Sequence, residues 1–329
     1  MVDPSFLAHL DPITDFQTMW HYRFFQHAFE AGTMIAVLAG VTGYFVVIRH
    51  TAFAAHALPY IGFAGATGVL LVDVAPILGL LGGSVAGGLG VAALGRRISQ
   101  RDTQVGIVMA FSLGLGLLFI NLYAGYATEA YSILFGEIVG ISTFNVLLTL
   151  YAGVAVLAFL ALLYRPLLFA SLDEDVAEAR GLPMLFLGTA FMLVVAVAVA
   201  FAVQVTGVLL IFSLMVTPGA TAQLVARSPH RAIALSVAIA LGTTWSALFI
   251  SFYTPYPVSF FVAAEAFGLY LLVRAASGVL KRRVGRDPPQ GSGSGALVVP
   301  SVSSLESSEP RKGKSASSVT EGKADRAGA

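Results

Sequence analysis

Apolar runs about twenty residues long recur along most of the chain, near 28–48, 53–72, 75–95, 105–122, 144–164, 184–203, 207–225, 231–251 and 258–275. A helix needs roughly 20 such residues to cross about 30 Å of hydrocarbon. The pattern therefore predicts an all-α, polytopic transmembrane helical bundle of about eight to nine spans. Pro59 and Pro218 fall inside the second and seventh runs, where a broken or re-entrant segment is expected. The third run, LGLLGGSVAGGLG (78–90), is crowded with small residues. Its Gly83 and Gly87 form a GxxxG spacing that lets backbones approach closely. That spacing reads as a subunit interface, as a helix that slides during transport, or as plain intrachain packing.

Composition removes the soluble class. Of 329 residues 57% are hydrophobic and 11% charged, against roughly 25% charged in an average soluble domain. The absence of cysteine excludes disulfides, thiolate metal sites and cysteine nucleophiles. A net charge of +1 gives no reason to expect nucleic acid as a partner, so none is expected. Membrane lipid is the expected surrounding.

The placement of the charges orients the bundle. With the amino terminus outside, alternate loops hold Arg49; Arg96, Arg97 and Arg101; Arg165 and Arg180; then Arg227 and Arg231. Arg274, Lys281, Arg282, Arg283 and Arg286 follow the last run. Arg23 alone falls on the opposite side, and the loops near 73–75, 123–143, 204–206 and 252–257 carry no Lys or Arg. Positive residues favour the cytoplasmic face, so the amino terminus is expected outside and the carboxyl terminus in the cytoplasm.

Three parts follow: an extracytoplasmic or interfacial segment over 1–27, a transmembrane domain over 28–276, and a cytoplasmic tail over 277–329. The first segment lacks the basic start and small-residue cleavage site of a secretory signal, so the first span is expected to be retained. Its Trp20, Tyr22, Phe24 and Phe25 suit a short interfacial helix over 15–27. The tail, rich in Ser, Gly, Lys and Glu, is expected to be disordered over 285–329.

Enzyme chemistry finds little to work with. No Lys precedes Lys281, and Gly313-Lys314-Ser315 has Ser308 where a P-loop needs glycine. There is no HExxH and no GxSxG. The chain is thus expected to be a conduit without a permanently bound cofactor, not an enzyme.

Ionisable groups in hydrocarbon cost about 2.5–3.5 kcal/mol or more and are candidates for function. They are Glu30, His56, Glu137 and Glu265. His56 and Tyr60 stand one turn apart in TAFAAHALPYIGFAGA (51–66), on one helix face. An imidazole there is a ligand for a borderline cation such as zinc, or a packing group hydrogen-bonded to a carbonyl. Glu265 lies mid-span in VSFFVAAEAFGLYLL and must be protonated, paired or facing a wet cavity. Glu137, in LFGEIVGIS, marks the end of a re-entrant segment; Glu30 lies near the outer interface, where water accounts for it.

The loop LLYRPLLFASLDEDVAEARGLPM (162–184) reads as a short cytoplasmic helix. Ser171 or Asp173 caps it, Glu174 and Asp175 match its dipole, and Gly181 with Pro183 ends it. Such a helix suits docking onto a separate protein, or is a plain amphipathic connector.

Together these segments resemble the membrane permeases of ATP-binding-cassette importers for zinc, manganese and related divalent cations, over residues 28–275. The likeness rests on GYFVVIRH (43–50), AFAAHALPYIGFAG (52–65), LFGEI (134–138), the pattern Asp173, Glu174, Ala177 and Gly181, and QVTGVLLIFSLMVTPGATAQLV (204–225). It implies a permease homodimer, two separate ATP-binding-cassette ATPase subunits and an extracytoplasmic metal-binding protein, in a bacterial cytoplasmic membrane. It makes 173–181 the coupling helix, places His56 and Tyr60 on the translocation path with His56 as metal ligand, and makes Pro59 and Pro218 signature positions; the intramembrane carboxylates Glu137 and Glu265 join them as path candidates on their own cost in hydrocarbon. The family commonly has Asp and His where this chain has His56 and Tyr60, a softer pair that favours zinc over manganese. Two other readings stay open: an importer of an iron chelate or cobalamin, and a secondary transporter using Glu265 or Glu137 as proton carrier.

Overall fold

The computed structural model describes residues 20–93, 98–123, 133–134, 136, 141–254 and 256–284. Among these there is no strand. The helices are α1 (Arg23–Ile48), α2 (Ala52–Leu70), α3 (Pro76–Ala93), α4 (Ile98–Leu122), α5 (Thr143–Leu172), α6 (Glu174–Ala179), α7 (Met184–Thr206), α8 (Val208–Val225), α9 (Pro229–Tyr253) and α10 (Val258–Val284). Among the described residues, nine helices are long and apolar enough to span a membrane; α6, with six residues, is not. The tail over 285–329 and Glu137 lie outside the described residues.

Burial sorts the helices into centre and rim. In α7, 72% of its most apolar 18-residue stretch is buried, against 17% in α4 and α10. α7 therefore threads the core, while α4 and α10 turn most of their surface outward. The core holds Phe45, Phe63, Phe191, Leu58, Ile211 and Met215. Ile107, Phe111, Tyr151 and Leu162 are exposed, as a lipid-facing rim requires.

Several buried hydroxyls are satisfied within their own helices, although Thr149 Oγ1 and the Tyr164 hydroxyl are buried without a hydrogen-bond partner. Thr42, Thr67, Thr206 and Thr244 donate to the carbonyls of Leu38, Phe63, Ala202 and Ala240, one turn earlier. Others tie helices together: Ser236 donates to the Gly40 carbonyl at 2.8 Å and the Trp245 indole to Thr33 Oγ1 at 2.9 Å. Such bonds and small residues replace the hydrophobic effect as glue between membrane helices.

The close approaches run through glycine. A Cβ at Gly43 would lie 1.8 Å from the Met215 carbonyl oxygen, so α1 and α8 touch backbone to backbone. The GxxxG pair is likewise intrachain, since a Cβ at Gly83 would meet the Ile61 carbonyl at 2.7 Å and one at Gly87 the Ile61 side chain at 2.8 Å. Of the readings open for that spacing, tight packing on α2 is the one observed.

Two expectations change. Pro59 and Pro218 do not break their helices; α2 and α8 run through them. Each proline removes one backbone N–H and crowds one carbonyl, but both rings are buried against neighbouring helices, which membrane helices tolerate. The expected interfacial helix over 15–27 lies partly outside the described residues; Trp20 and His21 are helical, a bend follows at Tyr22, and Phe24 and Phe25 are in the first turn of α1, which begins at Arg23. α5 continues to Leu172 instead of ending near 164. Its 30 residues make about 45 Å of helix, more than hydrocarbon alone needs.

Candidate functional site

The site grows from an offset between helices. Residues 49–51 join α1 to α2, and the Arg49 guanidinium sits 5.4 Å from the ring centroid of Phe191. Phe191 is seven residues into α7, about 10 Å along its axis, and the long Arg49 side chain reaches it from this turn. α2 starts at this turn. α8 starts at the opposite end, beyond the Gly207 turn, whose φ of +80° belongs to glycine. His56, four residues into α2, nevertheless meets Phe212, four residues into α8, with ring centroids 4.1 Å apart. Helices entering from opposite ends place that imidazole in the interior along the bundle axis.

Tyr60 closes the other side. Its ring stands edge-on to His56 at 5.3 Å and 88°, as one-turn spacing on a helix face allows. Both side chains are half-buried. The His56 Nδ1 is buried with no hydrogen-bond partner, so the carbonyl-bonded packing role left open by the sequence has no counterpart at that nitrogen. A buried polar atom left unpaired costs about 1–3 kcal/mol, and imidazole nitrogen is a ligand for borderline cations. Among the described residues no group of three or more His, Cys, Asp or Glu is gathered to hold a metal. What the pair presents is one unpartnered nitrogen between two aromatic rings.

Glu265 makes its hydrogen bond away from that pair. Ser246 on α9 donates to Oε2, and Oε1 is buried without a partner. Glu30 is exposed, in keeping with solvation. Sequence reasoning passed over Gln204, whose Oε1 is buried with no hydrogen-bond partner; its place beside an expected turn hid it. Phe212, too, carried no signal in a run of apolar residues.

The acidic loop forms the expected short helix. Asp173 Oδ1 accepts from the Val176 amide at 3.0 Å, so Asp173 is the cap. Ser171 instead donates to the Leu167 carbonyl at 2.5 Å. At the other end the Leu182 amide bonds the Ala177 carbonyl at 3.2 Å and the Gly181 amide bonds that of Glu178 at 2.9 Å. This paired closure needs a left-handed residue, and Gly181 supplies φ +81°. Ala177 is buried against α5 and α7, while Glu174, Asp175, Val176 and Glu178 are exposed. The helix thus has one side fixed to the bundle and one acidic side outward.

Comparison with known proteins places the chain among relatives. The profile of the ABC 3 transport family matches residues 21–277. A relative from Halalkalibacterium halodurans, the manganese transport system membrane protein MntC, is 28% identical over 275 residues, covering 81% of this chain and 93% of its own. The high-affinity zinc uptake system membrane protein ZnuB of Buchnera aphidicola is 28% identical over 172 residues, 52% of this chain and 66% of its own. Among solved structures, PsaBC from Streptococcus pneumoniae in complex with Fab superposes with a TM-score of 0.74 at 24% identity, covering 82% of this chain and 99% of that one. That likeness is one of fold.

Proposed function

The chain belongs to the ABC 3 transport family, and on that footing we propose that it is the permease subunit of an ATP-binding-cassette importer for a divalent metal cation, zinc favoured over manganese. The observation that carries the cation reading is the buried, unpartnered His56 Nδ1 between Phe212 and Tyr60 in the bundle interior. A nitrogen ligand without a neighbouring carboxylate suits zinc better than manganese, which prefers hard oxygen. The names of the relatives support the substrate class, since they include both a manganese and a zinc system.

The remaining parts follow from the same reading. The chain pairs with a second copy, two ATPase subunits dock on α6, and an extracytoplasmic binding protein delivers the cation. Asp173 and Gly181 shape the docking helix, Ala177 anchors it, and Glu174 lies on its outward side. Glu265 and Glu137 are further candidates on the path. The amino terminus lies outside and the tail in the cytoplasm, as the positive residues favour. The chelate and proton-coupled readings gain no observation of their own.

The test is zinc and manganese uptake by a strain that depends on this permease, with wild-type and His56→Ala proteins at equal abundance. Loss of zinc uptake in the variant is expected. Unchanged uptake of both metals sinks the assignment of His56.

A further inference from the structure

Arg49 touches more of the α6 region than its place at the end of α1 requires. Its Nη1 donates to Ser171 Oγ in a long hydrogen bond of 3.5 Å. Its guanidinium lies over Phe191, 5.4 Å from the centroid, within the range of a cation–π contact. Ser171 is on the helix entering α6, two residues before the Asp173 cap, and Phe191 is on the helix leaving it. One planar side chain therefore bridges both arms of the hairpin whose tip is α6. Lysine, a point charge, cannot bond and stack in this way.

The backbone at Arg49 leads directly to the cation site. The Thr51 amide bonds the Val46 carbonyl at 3.0 Å, the Thr51 hydroxyl bonds the same oxygen at 3.2 Å, and the Thr51 carbonyl accepts from Ala55 at 2.9 Å. These bonds lock the turn to both the last turn of α1 and the first of α2. Between them His50 holds φ +53°, a left-handed conformation unusual outside glycine and one that clusters at switch regions. A cavity of about 140 Å³ adjoins the turn, lined by Arg49, His50, Thr51, Asp102 and Glu174 among others. The turn thus has a tight grip on its partners and open space beside it.

We propose that Arg49 is a positioning residue that carries movement of the α6 hairpin through the 49–51 turn to α2 and so to His56, seven residues away. This rests on reading α6 as the ATPase docking helix. When the hairpin shifts, Phe191 and Ser171 draw the guanidinium with them, and the bonded turn passes the displacement to α2.

The experiment reconstitutes the permease with its ATPase and binding protein in liposomes and counts cations imported per ATP hydrolysed. For Arg49→Gln the ATPase still co-purifies and hydrolyses ATP within about twofold of wild type, while import falls about tenfold or more, the size of an ordinary coupling free energy. Arg49→Lys recovers part of the ratio. Ser171→Ala and Phe191→Leu, which each remove one arm, lower it less. An Arg49→Gln complex that imports at the wild-type ratio overturns the proposal. If that variant fails to assemble, an unchanged ratio in both single-arm variants overturns it. A wild-type complex without ATP-driven import overturns the reading of function itself, a separate outcome visible before any variant is made.

Discussion

The short helix α6 is held by its ends, and removing both caps should open it without disturbing the bundle. Six residues cannot sustain a helix alone, because nucleation costs more than so few bonds return. In Asp173→Ala the Oδ1 bond to the Val176 amide is lost, which costs about 1 kcal/mol. In Gly181→Ala a Cβ is forced to φ +81°, which costs a further ~1 kcal/mol. The two sites lie at opposite ends of the helix, about 12 Å apart along its axis, so the effects should add. Together ~2 kcal/mol raises the opening constant by about 30-fold. Hydrogen exchange of the permease in nanodiscs reads this directly. Amides of Val176–Leu182 should exchange about 30-fold faster in the double variant, while those of the α7 core around Val195–Val203 stay unchanged. ATPase binding should weaken in parallel, because only the closed helix presents the docking face. Exchange at the wild-type rate in that segment would refute the capping argument, and faster exchange with undiminished ATPase binding would refute α6 as the dock.

Other outcomes follow from the same geometry. His56→Asp should move selectivity toward manganese, read as the ratio of manganese to zinc uptake, because a hard oxygen replaces the imidazole. Glu265→Gln should leave ATP-driven uptake intact and still insensitive to a proton gradient, since the amide oxygen can accept from Ser246 as the carboxylate does; dependence on the gradient in the wild type alone would revive the proton-carrier reading. Gly43→Val should destabilise the detergent-solubilised protein by about 3 kcal/mol or more, because the first added carbon already overlaps the Met215 carbonyl. Gly82→Ala, with no atom within 4 Å of the added carbon, should be neutral or slightly stabilising in the same melt.

Much of the architecture was legible because membrane spans are written in long apolar runs, which local sequence carries without help from tertiary contacts. The docking helix was legible for a different reason: caps and a left-handed glycine are local chemistry, and Asp173 and Gly181 announce both ends. The prolines misled because the tolerance of a helix for Pro59 and Pro218 depends on neighbours that the sequence does not place beside them. At the candidate cation site, one-turn spacing brought His56 and Tyr60 together on paper, but Phe212 comes from 156 positions further on and its stacking depends on how α2 and α8 pass each other in the bundle. Arg49 read as one more inward-side charge. Its role becomes visible only once Ser171 and Phe191 are seen on either side of it. Gln204 was overlooked because an uncharged amide near a turn normally meets water, whereas here its oxygen is buried.

The central claim is that this chain is the gate of a transporter whose motor is a separate ATPase. The most direct measurement is zinc uptake into proteoliposomes holding the wild-type permease, with the ATPase and binding protein present or omitted and with ATP or a non-hydrolysable analogue. The account predicts accumulation only when both partners and hydrolysable ATP are supplied. Equal accumulation by the permease alone, without nucleotide, would contradict it.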